Sequence, residues 1–218
     1  MYMVKGTGMD NLIKAVEQQL LPRLDIESVH PHEPVKVKYC PPGWKLLGAG
    51  NYAAVLVHPE NSEVVVKVYA PGRPGLEDEV EVYRRLGEHP AYSQCYHAGG
   101  NYLMLKRMRG VTLYNCIMKG IRIPDKAIRD IDKALDYARG RGLHPHDIHG
   151  KNVMLHNGRG SVLDVSDFLK VEQCTMWEDL KEAYYRYYVP YLQKWPLPVP
   201  GFMMNWIRKG YRKYKKKH

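Results

Sequence analysis

The sequence predicts an α+β protein of two lobes, because strand patterns dominate its first half and helix patterns its second half. Between Trp44 and Tyr69 lie three apolar or alternating segments, WKLLGAG, YAAVLVH and EVVVKVY. Beyond Gly110 the apolar residues recur at helical spacing, most clearly in PDKAIRDIDKALDYARGRG. A chain of 218 residues is long enough for one large domain or two small lobes.

The strand-rich lobe is expected to be an antiparallel sheet with one inserted helix. The helix covers residues 76–86 and stops at Gly87. Two further strands are predicted at 93–98 and 102–107, on either side of a Gly-Gly-Asn turn.

The helical lobe contains three predicted helices and one hairpin. Thr112 is placed to cap a short helix, and Pro124 begins a long amphipathic one. The segments VMLH and SVLDV flank Asn157-Gly158, which is a strong hairpin signal. A tyrosine-rich helix is expected at about 177–193.

Ahead of the sheet, residues 9–22 have the spacing of an amphipathic helix that Pro22 ends. Residues 25–43 are rich in His and Pro and are expected to form a linker with a short strand at 35–39. We therefore divide the chain into an N-terminal helical extension and linker (1–39), an N-lobe (40–105), a C-lobe (106–204) and a basic C-terminal tail (205–218).

The charge of the protein is concentrated at its C-terminal end. The chain has 33 Lys and Arg against 23 Asp and Glu, for a formal net charge of +10. Nine of the basic residues and none of the acidic ones follow Glu182, so residues 1–182 are nearly neutral. The final segment RKGYRKYKKKH has the composition of a site for nucleic acid or for an anionic membrane, and equally of a solvated end.

Two further features bear on the environment of the protein. No segment approaches the roughly 18 apolar residues of a membrane span, so we expect no transmembrane segment. The four cysteines are far apart in the sequence and have no metal-site or disulfide spacing. That pattern suits a reducing compartment and predicts a cytoplasmic protein.

Two features of the strand-rich lobe suggest phosphate binding. Gly48-x-Gly50-x-x-Ala53 lies between two strands, where glycines let a backbone lie close to phosphates, although glycines also serve ordinary turns. Lys67 lies inside the apolar strand VVVKVY, where an unpaired ammonium group would cost several kcal/mol. Glu79, on the predicted sheet-facing side of the next helix, is the expected partner of that ammonium group.

Three polar residues in the helical lobe form a second group. Asp147 and Asn152 lie five residues apart in HPHDIHGKNVML, between a helix and the hairpin. A carboxylate at the first position is able to orient an attacking hydroxyl, and an amide oxygen at the second is able to bind Mg²⁺. Asp164 follows apolar residues on the second arm of the hairpin and is the predicted second metal ligand.

Four elements occur in this order: the glycine loop, Lys67 with Glu79, the segment of Asp147 and Asn152, and Asp164. Together they resemble the protein-kinase-like superfamily over residues 44–182. The resemblance implies a bilobal kinase-like fold, with ATP and Mg²⁺ as cofactors. It assigns catalytic roles to Asp147, Lys67 and His149 and metal binding to Asn152 and Asp164. It also implies a set of nucleotide-binding residues in the glycine loop, the first lobe and the strand between the lobes. These residues are Gly48, Ala49, Gly50, Asn51, Tyr52, Ala53, Val55, Lys67, Glu79, Lys106 and Met108.

The sequence departs from that family at several positions. Ala53 replaces a third glycine, and His149 stands where a catalytic-loop lysine is usual. The metal-binding triplet is Asp164-Val165-Ser166, with Asp167-Phe168 as a rival assignment. The activation segment is largely missing, because only fourteen residues separate Asp164 from Asp179. The chain therefore looks like the small atypical bacterial serine/threonine kinases.

The predicted function is ATP- and Mg²⁺-dependent phosphate transfer, most directly to serine or threonine of a protein, as in a non-specific serine/threonine-protein kinase. One alternative is a nucleotide-binding pseudokinase that serves as a scaffold. A second alternative is a kinase or ATPase acting on a small molecule or a tRNA-linked substrate, which the short activation segment and the basic tail favour. The cluster His144, His146 and His149 could be part of a zinc site, but only Asp147, already assigned another role, is available to complete it.

Overall fold

The computed structural model describes residues 7–30 and 33–204. The predicted basic tail, 205–218, lies outside the described residues. Within the chain, contacts define two compact units. Of the described residues, the first unit comprises 7–30, 33–108, 141–143 and 165–169, and the second comprises 109–140, 144–164 and 170–204. The predicted α+β class is confirmed.

The first unit contains a five-stranded antiparallel sheet in the order β3-β4-β5-β7-β6. The strands are β3 (Lys45–Ala49), β4 (Ala53–Val57), β5 (Val64–Tyr69), β6 (Cys95–Gly99) and β7 (Tyr102–Lys106). One helix, α2 (Leu76–Leu86), connects β5 to β6. These elements agree with the predicted strands and helix to within two residues at most ends.

The central strand β5 is buried along its whole length. Its β-branched residues suit a strand that is covered on both faces. The strand pairs with β4 on one side and with β7 on the other, and Lys67 lies opposite Val55 and Leu103. This position in the middle of the sheet fixes the backbone of Lys67 on both sides.

The N-terminal helix is part of the core of the first unit. It comprises α1 (Thr7–Ala15) and one π-helical turn (Val16–Leu20). Leu12, Val16 and Leu20 are buried in the same apolar cluster as sheet residues such as Leu56. The segment that the sequence predicted as a linker with one strand contains two paired strands, β1 (Asp25–Glu27) and β2 (Lys36–Tyr39). Strand β1 was not predicted, because three residues are too few for a periodic pattern.

The second unit combines helices with a small antiparallel sheet. The sheet order is β10-β9-β8, and β8 is a two-residue strand that the sequence did not predict. The elements are β8 (Val111–Thr112), α3 (Leu113–Lys119), α4 (Asp125–Gly140), β9 (Val153–His156) and β10 (Arg159–Val162). As predicted, the Thr112 side chain caps α3 by accepting a hydrogen bond from the Asn115 backbone.

One prediction about the hairpin was wrong in detail. Asp164 was expected on its second arm, but β10 ends at Val162. The Leu163 backbone N–H donates to the Asn152 carbonyl in register with the hairpin, one residue beyond the end of β10. Asp164 therefore lies in the loop that follows the strand.

The predicted tyrosine-rich helix at 177–193 is divided into three parts. These are α5 (Met176–Ala183), a π-helical turn (Tyr184–Tyr188) and α6 (Val189–Tyr191). The Tyr184 hydroxyl donates to the Ile123 carbonyl at 3.0 Å, and the Ile123 N–H donates to the Tyr188 hydroxyl at 2.9 Å. Two of the tyrosines are thus core residues. Of the described helices, none is long and apolar enough to span a membrane.

Gly160 is expected to be essential for packing β10 against α4. A Cβ at this position would overlap the Ala127 carbonyl oxygen and lie 2.9 Å from Ile131 Cγ1. Gly160→Ala should therefore lower the free energy of unfolding by about 1–3 kcal/mol, measured by urea denaturation.

The matched control is Gly140→Ala at the end of α4. A Cβ at Gly140 has no neighbour within 4 Å. Because alanine favours helix over glycine, this variant should be as stable as the wild type or more stable. Equal stability of the two variants would contradict the packing argument.

Candidate functional site

An ion pair is buried at the centre of the first unit. Lys67 Nζ lies 2.7 Å from Glu79 Oε2 and 2.9 Å from Oε1. The lysine side chain is 11% exposed and that of Glu79 is 1% exposed. Strand β5 positions the lysine and the first turn of α2 positions the glutamate, as the sequence predicted. Such burial is stable only because the two charges contact each other.

Tyr69 also contacts Glu79, although it was not among the predicted site residues. Its hydroxyl donates a hydrogen bond to Glu79 Oε2 and lies 3.3 Å from the Gly75 carbonyl oxygen. Its position two residues after Lys67 could have indicated this contact, because alternate residues of a strand share a face. The negative charge of Glu79 reaches Cys95 as well. Burial, and secondarily that charge, raise the pKa of the Cys95 thiol to about 11.

The glycine loop is the turn between β3 and β4. Neither Gly48 nor Gly50 has a positive φ, and no protein atom comes closer than 3.9 Å to a Cβ built at either position. The local fold therefore does not require glycine there. The Gly50 N–H donates to the Ala53 carbonyl, and the Ala70 N–H donates to the Tyr52 carbonyl. These bonds hold the turn against the end of β5.

The remaining loop residues differ in exposure. Ala49 and Asn51 are exposed, Tyr52 and Val55 are half-buried, and Ala53 is buried. The loop thus presents small and polar groups on its outer side.

Residues 106–108, at the end of β7 and just beyond it, were predicted to bind adenine through their backbone. The Lys106 N–H donates to the Gln94 carbonyl, and the Lys106 carbonyl accepts from Ser93 Oγ at 2.7 Å. The next N–H, that of Arg107, donates to the Glu63 carbonyl. Met108 follows and is half-buried.

The residues of the predicted catalytic loop lie in the second unit, where the loop brings Asp147 next to Asn152. Asp147 has a φ of 56°, which is unusual for a residue other than glycine. Asn152 Nδ2 donates to the Asp147 carbonyl oxygen at 3.0 Å and to Asp147 Oδ2 at 3.3 Å. A strained backbone that a neighbouring side chain stabilises is common at functional sites.

His149 is also close to Asp147. Its Nε2 lies 3.8 Å from Asp147 Oδ2, and both side chains are about two-fifths exposed. The Lys151 backbone N–H donates to His149 Nδ1 at 3.2 Å. That bond assigns the proton of a neutral ring to Nε2, the nitrogen nearer the carboxylate.

The predicted metal ligands suit Mg²⁺ in their chemistry. Since the amide nitrogen of Asn152 is the atom that bonds Asp147, its Oδ1 is directed away from that carboxylate. Asp164 is half-buried in the loop after β10. Amide and carboxylate oxygens are the ligands that Mg²⁺ prefers, and substrate phosphates usually complete its shell. Among residues 7–30 and 33–204, no three His, Cys, Asp or Glu side chains cluster as a metal site of their own.

The rival aspartate, Asp167, belongs to a segment assigned to the first unit. Its neighbour Phe168 is fully buried there and packs edge-on against Tyr92, with ring centroids 6.2 Å apart. Asp164, in contrast, belongs to the unit that contains Asp147 and Asn152. The assignment of Asp164 rather than Asp167 as the metal ligand stays a prediction.

Comparison with known proteins identifies the family. The chain is 32% identical over 185 residues to a protein of Bacillus subtilis (strain 168) named "Putative serine/threonine-protein kinase YrzF". The match covers 79% of this chain and 85% of that protein. The chain belongs to the protein-kinase-like superfamily.

More distant relatives in this superfamily are eukaryotic kinases. Human ribosomal protein S6 kinase alpha-2 is 26% identical over 53% of this chain, and the match spans 17% of that protein. CBL-interacting protein kinase 10 of Oryza sativa subsp. japonica is 27% identical over 57% of this chain and 31% of its own length. No family model matches the sequence.

Removing the ammonium group of Lys67 should destabilise this kinase-like protein. Lys67→Met leaves the Glu79 carboxylate buried without its cation, so the free energy of unfolding should fall by about 3–5 kcal/mol in urea denaturation. Adding Glu79→Gln should recover part of that loss, because the amide is neutral.

Lys45→Met is the matched control, because Lys45 is an exposed lysine of β3. It should change the free energy of unfolding by less than about 0.5 kcal/mol. A double variant of Lys67 and Glu79 that is less stable than Lys67→Met alone would contradict the buried-pair interpretation.

Proposed function

We propose that the protein is an ATP- and Mg²⁺-dependent phosphotransferase that acts on serine or threonine of a protein. The observation that carries the proposal is the buried contact of Lys67 Nζ with Glu79 Oε2 at 2.7 Å. A buried ion pair adds little to the stability of a sheet, whereas an ammonium group fixed in this way is suited to hold phosphates. Membership of the protein-kinase-like superfamily and the pairing of Asp147 with Asn152 support the same function.

In this proposal the first unit binds the nucleotide. Lys67 holds the α- and β-phosphates, and Glu79 fixes the direction of its side chain. The open space above Gly48 and Gly50 supports a loop that lies over phosphates. Met108 is the proposed backbone donor to adenine, because the N–H groups of the two residues before it are bonded elsewhere.

The second unit is proposed to orient the acceptor. Asp147 accepts a hydrogen bond from the acceptor hydroxyl and takes up its proton as phosphate transfer proceeds. His149 lies beside that carboxylate and is proposed to contact the transferred phosphate. Asn152 and Asp164 would hold Mg²⁺, which neutralises phosphate charge when bound.

The acceptor is the less constrained part of the proposal. Only fourteen residues lie between Asp164 and Asp179, too few for the substrate platform of ordinary protein kinases. A small-molecule or tRNA-linked acceptor is therefore the second candidate. A nucleotide-binding scaffold is the third, and the presence of Asp147, Asn152 and Asp164 argues against it. A cytoplasmic location goes with this proposal.

Asp147→Asn tests the catalytic role directly. Transfer of labelled phosphate from ATP, in the presence of Mg²⁺, should fall about 10²–10⁴-fold, because the amide cannot take up the hydroxyl proton. Binding of a fluorescent ATP analogue should be nearly unchanged. Protein, RNA and small-molecule pools serve as acceptors, and the labelled pool identifies the acceptor class.

Asp167→Asn is the matched control, since it makes the same chemical change at the rival aspartate. It should retain transfer, whereas Asp164→Asn should lose it. A wild-type protein that binds the nucleotide but labels no acceptor and releases no phosphate would favour the scaffold instead.

We propose in addition that the C-terminal region binds an anionic membrane surface. Large apolar side chains stand exposed shortly before the basic tail, including Trp195 at 79%, Leu197 at 68% and Phe202 at 67%. Every charged residue after Glu182 is basic. Aromatic and aliphatic side chains beside lysines match the boundary between lipid headgroups and acyl chains. Leucine has no ring to stack on bases, so lipid explains this set better than nucleic acid does.

Vesicle co-sedimentation tests the membrane proposal. The protein should bind vesicles that contain phosphatidylglycerol, should not bind pure phosphatidylcholine, and should dissociate at high salt. Replacing Trp195 and Phe202 by Ser should weaken binding, whereas Val171→Ser, at an equally exposed valine, should not. Tighter binding to RNA than to anionic vesicles, insensitive to Trp195 and Phe202, would overturn the proposal.

A further inference from the structure

Tyr69 is the residue through which β5 makes its second contact with Glu79. Lys67 and Tyr69 lie two residues apart on β5, so their side chains leave the same face of the sheet. The lysine contacts both carboxylate oxygens of Glu79, and the tyrosine hydroxyl donates to Oε2. One strand thus offers an ammonium group and a hydroxyl group to one carboxylate.

The backbone of Tyr69 is fixed independently of that contact. Its N–H donates to the Asn101 carbonyl at 2.8 Å, and its carbonyl accepts from Asn101 Nδ2 at 3.2 Å. The tyrosine side chain is almost fully buried, and Lys67 Nζ lies 5.7 Å from its ring centroid. The fixed backbone and the buried ring therefore hold the hydroxyl at the first turn of α2.

The residues at the start of α2 do little else to hold its first turn in place. Gly75 precedes the helix in a left-handed conformation, with a φ of 104°, and no side chain caps the helix start. The Tyr69 hydroxyl lies 3.3 Å from the Gly75 carbonyl oxygen, and that carbonyl accepts the Glu79 N–H. The hydroxyl thus lies where α2 begins and where Glu79 emerges from it.

We propose that Tyr69 is a positioning residue whose hydroxyl holds the Glu79 carboxylate in the place where it pairs with Lys67. The inference rests on the proposed function, in which Lys67 holds phosphates. The ammonium group attracts both carboxylate oxygens, and the hydroxyl adds a directed hydrogen bond to Oε2 that further restricts the orientation of the carboxylate. In a chain with so short a segment after Asp164, this bond keeps α2 in its productive position without help from an activation segment.

Tyr69→Phe tests the proposal, because it removes one oxygen atom and keeps the ring. The value of kcat/KM for ATP should fall about tenfold to a hundredfold, the usual effect of losing a hydrogen bond to a charged group. The loss should appear mainly in kcat, because nucleotide still binds. In a Glu79→Gln background the same change should have less than about a twofold effect, because the interaction that it removes is already altered.

Tyr102→Phe is the matched control, a buried tyrosine of the neighbouring strand whose hydroxyl donates to Glu17 at 3.2 Å. It should leave kcat and KM unchanged. Hydrogen exchange without nucleotide separates the two variants. Tyr69→Phe should accelerate exchange in α2, whereas Tyr102→Phe should accelerate it in the π-helical turn at 16–20.

The exchange measurement also separates this inference from the proposed function. If the wild type transfers no phosphate but Tyr69→Phe accelerates exchange in α2, the positioning role stands and the proposed activity fails. Unchanged exchange in α2 overturns the positioning role. An equal loss of kcat/KM with and without Glu79→Gln also overturns it, because the tyrosine would then act through general packing.

Discussion

A buried ammonium group in the middle of a β-sheet is the constraint around which the first unit is arranged. Burial leaves the Lys67 ammonium group with little water around it, so it needs an anion, and the fold supplies one in the Glu79 carboxylate of α2. Glu79 is even more buried than the lysine, and its carboxylate requires hydrogen-bond donors in turn. The Tyr69 hydroxyl and the position of α2 both follow from that requirement.

The second unit depends on a different kind of constraint, the path of its backbone. Asp147 adopts a left-handed conformation that costs free energy, and the side chain of Asn152 bonds both its carbonyl and its carboxylate. The hairpin of β9 and β10 begins directly after Asn152, so the ladder fixes one end of this loop. Strain of this kind persists only where the surroundings hold it, which is why it marks a candidate site.

Much of the fold and part of the candidate site could be predicted from local patterns. The strand of Lys67, the helix of Glu79 and the hairpin after Asn152 follow from periodicity, glycine positions and an Asn-Gly turn, and each depends only on neighbours in sequence. The pairing of Lys67 with Glu79 also followed, because a buried lysine needs an anion. In contrast, β1, β8 and the end of β10 before Asp164 could not be predicted, since each depends on which distant strand offers a partner.

The sequence by itself determined the types and order of the chemical groups: a glycine turn, a strand lysine, a helix glutamate and the Asp147–Asn152 spacing. The tertiary structure alone decided which atoms meet. Only packing could bring the Tyr69 hydroxyl to the Glu79 carboxylate, turn the Asn152 amide nitrogen toward Asp147 and assign Phe168 to a different unit from Asp164. The physical reason is that side-chain direction is set by contacts between elements, whereas element type is set largely within each element.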